Sequence, residues 1–206
     1  YKAIAETRGG KNSSDVYVVR SGPDLDRISL KAANAGLRNG RNFLVGYVGV
    51  MGRQEGISYL LEAAHHIVHD IGRSDVHFTL VGGGTELATL KDYSEKLGLA
   101  DFVTFTGRVP DAQLLDVLST ADVCINSDVC NEMNDKSTMN KIMEYMALAK
   151  PIVQFECTEG RFSAQTASLY AEPNNGKDMA RKIVTLLDDE AMRSRMGKFG
   201  KRRVED

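Results

Sequence analysis

A short segment near the middle of the sequence carries a lysine and a carboxylate at helical spacing. Ser137, Lys141 and Glu144 fall along one edge of a predicted helix, with Ser137 suited to cap its start. Pro151 forces the chain out of this helix and into a short apolar strand. The apolar positions follow the i, i+3, i+4, i+7 rule for a buried helix face: Met139, Ile142, Met143 and Met146. The segment therefore predicts a loop, a helix with a polar edge, and a buried strand.

The start of this predicted helix is suited to bind an anion. A helix N-terminus presents unpaired backbone N–H groups and a partial positive charge. Lys136 and Lys141 add full positive charges at the same end. We therefore expect an anionic ligand to bind there.

Glycine-rich turns follow three predicted strands. Residues 43–50 form a continuous apolar run, which is typical of a strand buried on both faces of a parallel sheet. Residues 75–81 and 102–109 predict two further strands, and helices are predicted at 57–71, 85–97 and 111–120. The glycines in these turns are Gly49, Gly52, Gly56, Gly82, Gly83, Gly84 and Gly107. Glycine lets the backbone approach a phosphate closely, although Gly52 and Gly56 could equally serve only to make their turn.

Alternation of strands and helices predicts an α/β fold with a Rossmann-like, doubly wound parallel sheet flanked by helices. Further strands are predicted at 15–20, 121–126, 152–153 and 168–171, and further helices at 1–11, 177–187 and 190–204. Residues 21–24 predict a turn and 29–42 a loop. Ligands of such sheets bind at the carboxyl ends of the strands, so the glycine turns and the Ser137–Glu144 segment are expected to converge on one crevice.

Composition excludes several classes of function. The 206 residues include 26 basic and 28 acidic side chains, and the formal charge of −2 gives no broad field for nucleic acid or an anionic membrane. No apolar run approaches the roughly 20 residues of a membrane span. The three cysteines, Cys124, Cys130 and Cys157, are odd in number and lack metal-finger spacing, which favours reduced thiols over a disulfide framework.

The central segment resembles the family 4 (group 1) glycosyltransferases of GT-B fold, in their C-terminal, nucleotide-sugar-binding domain. The family pattern has two Glu residues separated by seven residues that contain a Phe-Gly-Leu-Pro-like turn, then Ala-Met-Ala-x-Gly-x-Pro-Val-Val. Glu144-Tyr-Met-Ala-Leu-Ala-Lys-Pro151-Ile-Val matches its second half. Residues 18–27, 82–84, 107–109 and 121–128 also resemble family segments, so the similarity covers nearly the whole chain.

The resemblance assigns roles to individual residues. Glu144 would bind the ribose hydroxyls of a nucleotide donor, and Lys141 with Arg53 would stabilise the departing diphosphate electrostatically. The N–H groups of Thr138, Met139 and Asn140 would contact the diphosphate, and Lys136 and Ser137 belong to the same expected substrate-binding segment. The nucleobase would lie beside Gly107, Arg108 and Val109, with Val109 packing on the base and Arg108 a solvated loop charge.

Three positions depart from the family pattern. Lys136 stands where the first Glu, which faces the donor sugar, is expected. Val50 takes the place of an Arg and Glu55 that of a Lys, the pair that neutralises the diphosphate in the family. Arg53 is expected to compensate, and otherwise Lys141 and Lys136 carry the charge.

The resemblance also implies what the larger enzyme would do. Residues 1–40 would be a post-hinge segment packed on a donor-binding domain of residues 41–206, with an N-terminal acceptor domain and a last helix outside this chain. The implied activity is hexosyl transfer from a nucleotide-diphosphate sugar to a glycan or lipid-linked glycan, with retention, without a metal or other cofactor, in polysaccharide biosynthesis. A cytoplasmic location follows, and peripheral membrane association through the other domain stays open. This chain alone is expected to bind nucleotide and to transfer no sugar.

Other readings of the same residues remain open. A nucleotide-sugar epimerase shares the GT-B architecture, and a non-catalytic nucleotide-binding module would explain the three departures. Less favoured are a GT-A metal motif at Asp24-Leu-Asp26, an NAD fingerprint at Gly82-x-Gly84, a metal pair at His65 and His69, and a calcium loop at 127–136. The Asp24-Leu-Asp26 match is short enough to arise by chance, and the other three lack a required neighbour; the third fingerprint glycine, for example, is Leu87.

Overall fold

The computed structural model describes residues 2–20 and 22–206, which contain one six-stranded sheet whose strands all run parallel. The strands are β1 (Phe43–Val48), β2 (Val76–Val81), β3 (Val103–Gly107), β4 (Val123–Asn126), β5 (Ile152–Phe155) and β6 (Ser168–Ala171). Their order across the sheet is β3-β2-β1-β4-β5-β6. This is the order of a doubly wound nucleotide-binding sheet, and the prediction of the fold class is confirmed.

Helices cover both faces of the sheet. They are α1 (Lys2–Thr7), α2 (Ile57–His65), α3 (Leu87–Lys96), α4 (Asp111–Thr120), α5 (Glu132–Asp135), α6 (Asn140–Ala147), α7 (Thr158–Ala164), α8 (Gly176–Asp188) and α9 (Glu190–Glu205). One core cluster joins α2, α3 and α8 to the sheet, and the other joins α4 and α6 to its opposite face. Side chains of β1 alternate between the two, with Val45 and Tyr47 in the first and Leu44 and Val48 in the second. Strand β1 is therefore buried on both faces, as its continuous apolar run predicts.

Strands β1 and β4 form the central seam of the sheet. β1 pairs with β2 over its full length, from Phe43 opposite Val76 to Val48 opposite Val81. Its ladder with β4 is limited to Val45 opposite Val123 and the next pair. At this seam the order of the strands changes direction, because β2 and β3 lie on one side of β1 while β4 to β6 lie on the other. Such a switch point leaves a crevice beyond the carboxyl ends of the two strands.

Most predicted elements are confirmed, and their ends shift by a few residues. The predicted bounds of α4 and β6 agree with the structure. The predicted helix 57–71 ends as α-helix at His65 and continues as a π-helical turn over His66–Asp70. Apolar side chains on both parts, such as Leu60 and Ile67, are buried.

The first twenty residues differ from the prediction. Residues 16–20 form no strand, and Tyr17 and Val19 are 80% and 88% exposed. α1 buries none of its side chains, and its apolar residues Ala3 and Ile4 are exposed. An apolar, β-branched run becomes a strand only where another strand supplies hydrogen bonds, and the described residues place none beside it. Tyr1 and Ser21, which belong to the predicted helix and turn, lie outside the described residues.

The following segment, residues 22–42, contacts α4 and the start of β4. Ile28 is buried in the same cluster as α4 and α6. The backbone N–H of Lys31 donates to Ser119 Oγ at 3.0 Å, and Arg38 Nη2 donates to Asp122 Oδ1 at 3.0 Å. The predicted loop 29–42 contains one 3₁₀ turn, Ala35–Arg38.

Cys130 and Cys157 form a disulfide with their Cα atoms 6.1 Å apart. The prediction of reduced cysteines is therefore wrong for these two. They are 27 positions apart in sequence, and the fold brings the loop after β4 against the start of α7, which spacing rules do not reveal. Cys124 is free and buried, and burial raises the pKa of its thiol to about 12.

No helix in the described part of the chain combines the length and the apolar character needed to cross a lipid bilayer.

Candidate functional site

The candidate site is the crevice at the carboxyl edge of β1, β2 and β3. Gly49, Gly82, Gly83, Arg108 and Val109 line a cavity of about 320 Å³ there. Leu114 of α4 lines this cavity and also an adjoining apolar pocket that contains Glu144. The structure thus brings together residues of three predicted glycine turns and connects them with α6.

The glycine turns are bonded to one another through their backbones. Gly49 N donates to Val81 O at 3.1 Å, Gly82 N to Gly107 O at 2.9 Å, and Met51 N to Gly83 O at 3.1 Å. A Cβ atom on Gly82, whose φ is +135°, would lie 1.8 Å from Gly49 O. A Cβ atom on Gly84 would lie 2.4 Å from Met51 O. Gly82 and Gly84 are therefore required for the packing of the turns themselves, whatever the crevice binds.

The turn after β1 places Arg53 outside this crevice. Gly52 and Arg53 line a separate pocket with Glu86, and the Arg53 side chain is 89% exposed with its Nε 3.4 Å from Glu86 Oε1. Glu55, at the position where the family pattern has Lys, accepts a hydrogen bond from Gly52 N at 3.1 Å and closes its own turn. The structure therefore does not bring Arg53 together with Lys141.

Helix α6 begins later than the sequence indicates. Its N-cap is Met139, and Ser137 Oγ instead donates to Met133 O at 2.6 Å, so the predicted capping role of Ser137 is wrong. Asn140 is the first helical residue and is exposed. Thr138 Oγ1 donates to Glu159 Oε1 at 3.4 Å. Helix α6 starts C-terminal to Ser137, because α5 occupies part of the loop that connects β4 to α6.

Lys136 and Lys141 have different surroundings. Lys136 Nζ lies 2.8 Å from Glu132 Oε1 at the surface, and both side chains are largely exposed. Lys141 is 12% exposed, and its Nζ lies 2.9 Å from Asp128 Oδ1 and 5.1 Å from the centre of the Tyr47 ring. Lys141 is thus the lysine that the fold holds beside Gly49 at the crevice.

Tyr145 supports the seam between β1 and β4 from below the crevice. Its side chain is fully buried, and its hydroxyl accepts from Val48 N at 2.9 Å and donates to Ile125 O at 3.1 Å. Burial raises the pKa of this phenol well above its ordinary value. The hydroxyl replaces ladder bonds where the two strands separate, so it fixes the floor of the crevice.

Glu144 lies at the wall of the adjoining pocket. Its side chain is 22% exposed, and its Oε1 lies 3.7 Å from Arg27 Nη2, while Arg27 Nη1 lies 3.5 Å from Asp111 Oδ2. Burial raises the pKa of the Glu144 carboxyl, and the Arg27 charge opposes that rise. A half-buried carboxylate beside an apolar surface is suited to accept hydrogen bonds from hydroxyl groups of a ligand.

Sequence reasoning missed four residues of the site: Arg27, Tyr47, Asp128 and Tyr145. Tyr145 shares its helical face with Ile142, which is a signal for burial, but its hydrogen bonds depend on the separation of two strands. Asp128 follows a predicted strand in a loop rich in polar residues, and nothing in that pattern identifies Lys141 as its partner. Within residues 2–20 and 22–206, no three His, Cys, Asp or Glu side chains are grouped so that they could hold a metal ion.

Comparison with known sequences gives one family. The sequence profile of the family described as "Glycosyl transferases group 1" matches residues 42–189, which is more than half of the chain. The 2-deoxystreptamine glucosyltransferase of Streptomyces kanamyceticus is 28% identical over 153 residues, covering 72% of this chain and 37% of the relative. The alpha-D-kanosaminyltransferase of the same organism is 26% identical over 155 residues, covering 74% and 38%. The chain thus spans less than half the length of these relatives.

Comparison with solved structures agrees at the level of the fold. Alr3699/HepE of Anabaena, solved in complex with UDP-glucose, superposes with a TM-score of 0.80 at 18% identity, covering 98% of this chain and 56% of that one. An identity this low supports the fold alone. The profile match over residues 42–189 supports more, and on it the chain belongs to the group 1 glycosyltransferases.

Proposed function

We propose that this chain binds a nucleoside diphosphate sugar at the carboxyl edge of its sheet and supplies the donor site of a glycosyltransferase. One observation carries the proposal: the cavity lined by the glycine turns adjoins the pocket of Glu144 at the topological switch point, where doubly wound sheets bind nucleotides. The matched relatives are a glucosyltransferase and a kanosaminyltransferase, and HepE was solved with UDP-glucose. A hexose donor fits all three.

The parts of the site suggest a position for each part of the donor. The nucleobase packs against Val109 and Leu114, which are apolar and face the cavity. The ribose hydroxyls donate to Glu144 across the shared wall of the two pockets. The diphosphate then extends toward Gly49 and Lys141, where backbone and ammonium groups stabilise the charge that develops as the sugar leaves.

The acceptor site belongs, in this proposal, to a part of the enzyme outside the 206 residues. The chain spans only 37% and 38% of the two curated relatives, so most of such an enzyme lies outside the matched region. We accordingly propose that the chain alone binds nucleotide and transfers no sugar, and that the whole enzyme transfers with retention. Sugar transfer by the chain alone to a glycan or lipid-linked acceptor would contradict the first part.

Calorimetric titration with UDP, GDP, ADP and dTDP tests the donor site. We expect one of the four to bind, and Glu144→Ala to weaken that nucleotide on the order of tenfold, since hydrogen bonds to a charged group contribute about 1.5–3 kcal/mol. Binding of none of the four would contradict the proposal for this chain.

Asp111→Ala is the matched control for that titration. Asp111 also pairs with Arg27, but its side chain is 63% exposed. If Glu144 acts only by holding Arg27, both variants should weaken binding alike. A loss confined to Glu144→Ala supports direct contact with the nucleotide.

A non-catalytic nucleotide-binding module is the second candidate, and a specific observation favours it. Val50, Glu55 and Lys136 replace the Arg, Lys and first Glu of the family pattern, and Arg53, the residue nearest to replacing the basic pair, points away from the crevice. Release of free sugar from a radiolabelled nucleotide sugar separates the candidates, because slow donor hydrolysis requires leaving-group stabilisation and a binding module needs none. Hydrolysis that is lost in Lys141→Met would favour the enzyme.

A further inference from the structure

The Lys141–Asp128 pair is the most enclosed lysine–carboxylate contact in the described part of the chain. The Lys141 side chain is 12% exposed and that of Asp128 is 5% exposed, with 2.9 Å between Nζ and Oδ1. The other lysine–carboxylate contacts among these residues involve side chains between 29% and 88% exposed. This pair therefore interacts in a medium of much lower dielectric constant than a surface pair.

The pair is poorly satisfied for one that is buried. Asp128 Oδ2 is inaccessible to solvent and makes no hydrogen bond of ordinary geometry, and the same holds for Asn126 Oδ1, two residues earlier. Burial raises the pKa of the Asp128 carboxyl, and Lys141 together with the neighbouring Asn126 side chain only partly offsets this. A buried ion pair stabilises a fold only when its remaining lone pairs are also satisfied. A contribution to stability alone therefore does not explain why a carboxylate is buried at position 128.

The location of the pair suggests another role. A Cβ atom on Gly49 would lie 3.4 Å from Lys141 Nζ, so the ammonium group lies directly beneath the turn that lines the crevice. The Tyr47 ring supports the same ammonium, and the Tyr47 hydroxyl donates to Val50 O at 3.0 Å, which fixes the ring. An anion that enters at Gly49 meets a lysine whose charge Asp128 already neutralises. When the anion lies at similar distances from both groups, its attraction to the Lys141 ammonium and its repulsion by the Asp128 carboxylate nearly cancel.

We propose that Asp128 is an internal counter-ion that the diphosphate of the donor displaces from Lys141. Asp128 thereby sets how strongly the crevice binds phosphate and prevents other small anions from occupying Lys141 when no donor is present. Since burial raises its pKa, Asp128 is able to take up a proton once Lys141 turns to the phosphate. This inference rests on the proposed function, because it concerns the same crevice.

Asp128→Asn tests the inference with a near-isosteric change that removes one negative charge. We expect the nucleoside diphosphate that binds the wild type to bind the variant more tightly, on the order of tenfold, because one repulsive charge close to the anion is lost. The matching nucleoside without phosphate should bind both proteins equally. The gain in affinity for the nucleoside monophosphate should lie between that for the nucleoside and that for the diphosphate. In a Lys141→Met background, Asp128→Asn should give a smaller gain, because no lysine remains to be released and only the direct repulsion of the anion is lost.

The control is Asp116→Asn, which breaks a second lysine–aspartate pair of equal length. Asp116 Oδ1 lies 2.9 Å from Lys31 Nζ, and neither residue lines the crevice. This variant carries the same change in net charge and should leave nucleotide affinity unchanged. If Asp128→Asn does not fold, Asp128→Ser removes the same charge with a smaller side chain.

The possible failures are distinguishable. Diphosphate binding that is unchanged or weaker in a folded Asp128→Asn or Asp128→Ser protein would overturn the counter-ion role and leave the donor site standing. A gain that appears equally in Asp116→Asn, or that extends to the nucleoside, would also overturn it. Absence of nucleotide binding in wild type and variants alike would refute the proposed function, and the counter-ion inference with it.

Discussion

Tyr145 places a polar group in the deepest part of the domain. Its hydroxyl satisfies Val48 N and Ile125 O, which the separating strands leave without ladder partners. Tyr145→Phe should lower the free energy of unfolding by about 1–3 kcal/mol, because a buried N–H and a buried C=O lose their partner. Urea unfolding followed by circular dichroism measures this.

Tyr170→Phe serves as the comparison for that measurement. The Tyr170 hydroxyl also donates to a backbone oxygen, that of Gln165 at 2.7 Å, but this contact is exposed and water replaces it. We expect a loss of less than about 1 kcal/mol. Equal losses in the two variants would show that the hydroxyl of Tyr145 has no special part in the seam.

Asp75 gives a prediction for acid pH. The hydrogen bonds from Arg73 hold the pKa of the Asp75 carboxyl below its ordinary value. A lowered folded-state pKa stabilises the protein above the unfolded-state pKa of about 4 and ceases to do so as pH falls through the folded value. Asp75→Asn should therefore reduce stability by about 1 kcal/mol at pH 7, and this difference should shrink as pH falls through the lowered folded-state pKa of Asp75.

Thermal unfolding of wild type and Asp75→Asn across pH 2.5–7 checks this sign. Asp188, the second partner of Arg73, is 57% exposed, and Asp188→Asn is expected to cost less at neutral pH because solvent screens the pair. A difference between wild type and Asp75→Asn that widens toward low pH would contradict the assignment.

Residue types and spacing indicated part of the candidate site. Lys141 and Glu144 were predicted from their places on a helix edge and from the family pattern, and the structure places both at adjoining parts of the crevice. Arg53 was grouped with them on sequence proximity to the turn, but its side chain points to Glu86. Asp128 is brought to Lys141 by the packing of α6 against the end of β4, and contacts between separate elements are not encoded in local spacing.

The glycine turns join the ends of β1, β2 and β3, so a substitution in them is expected to affect whole elements. Gly82→Ala should destabilise the protein by about 3 kcal/mol or more, since its Cβ would overlap Gly49 O and its φ is in the region that favours glycine. Gly83→Ala, at the next position, places its Cβ 3.5 Å from Arg108 Cγ, which is ordinary contact.

The adjacent pair is therefore a matched test of backbone packing. Gly83→Ala should change the free energy of unfolding by less than about 1 kcal/mol and leave the secondary structure intact. Thermal unfolding and yield of soluble protein compare the two variants. Similar, mild effects in both would mean that the turns do not require close backbone contact.

Elements with a buried face could be predicted, and those without one could not. Strand β6 and helix α4 have their predicted bounds, and side chains of both pack into the core. The run at residues 16–20 has the composition of a strand but forms none, and Tyr17, Val18 and Val19 are exposed. Composition reports the propensity of a segment, whereas a strand also needs a neighbour with unpaired hydrogen-bonding groups.

At the scale of the whole molecule, the disulfide ties the loop after β4 to α7. A cross-link between positions 27 apart should stabilise the fold by about 3 kcal/mol through the entropy of the unfolded chain. Alkylation in denaturant, followed by mass spectrometry, should label only Cys124 without reductant and all three cysteines after reduction. Reduction should also lower the midpoint of thermal unfolding.

Cys124→Ser is the control for thiol counting, because it removes the free thiol and leaves the cross-link. This variant should show no alkylation without reductant and an unchanged response of its unfolding midpoint to reduction. Three labelled cysteines in wild-type protein purified without reductant would contradict the disulfide.

The seam between β1 and β4 has a consequence for how such a protein changes during evolution. Its opening follows from the order in which the chain visits its strands, so no single side chain is needed to keep it. Val50, Glu55 and Lys136 replace charges of the family pattern, yet the glycine turns still meet above Tyr145. The shape of the cleft is thus inherited separately from its chemistry. A lineage can exchange the charged groups around the cleft, and with them the preferred donor, without ever passing through an unfolded ancestor.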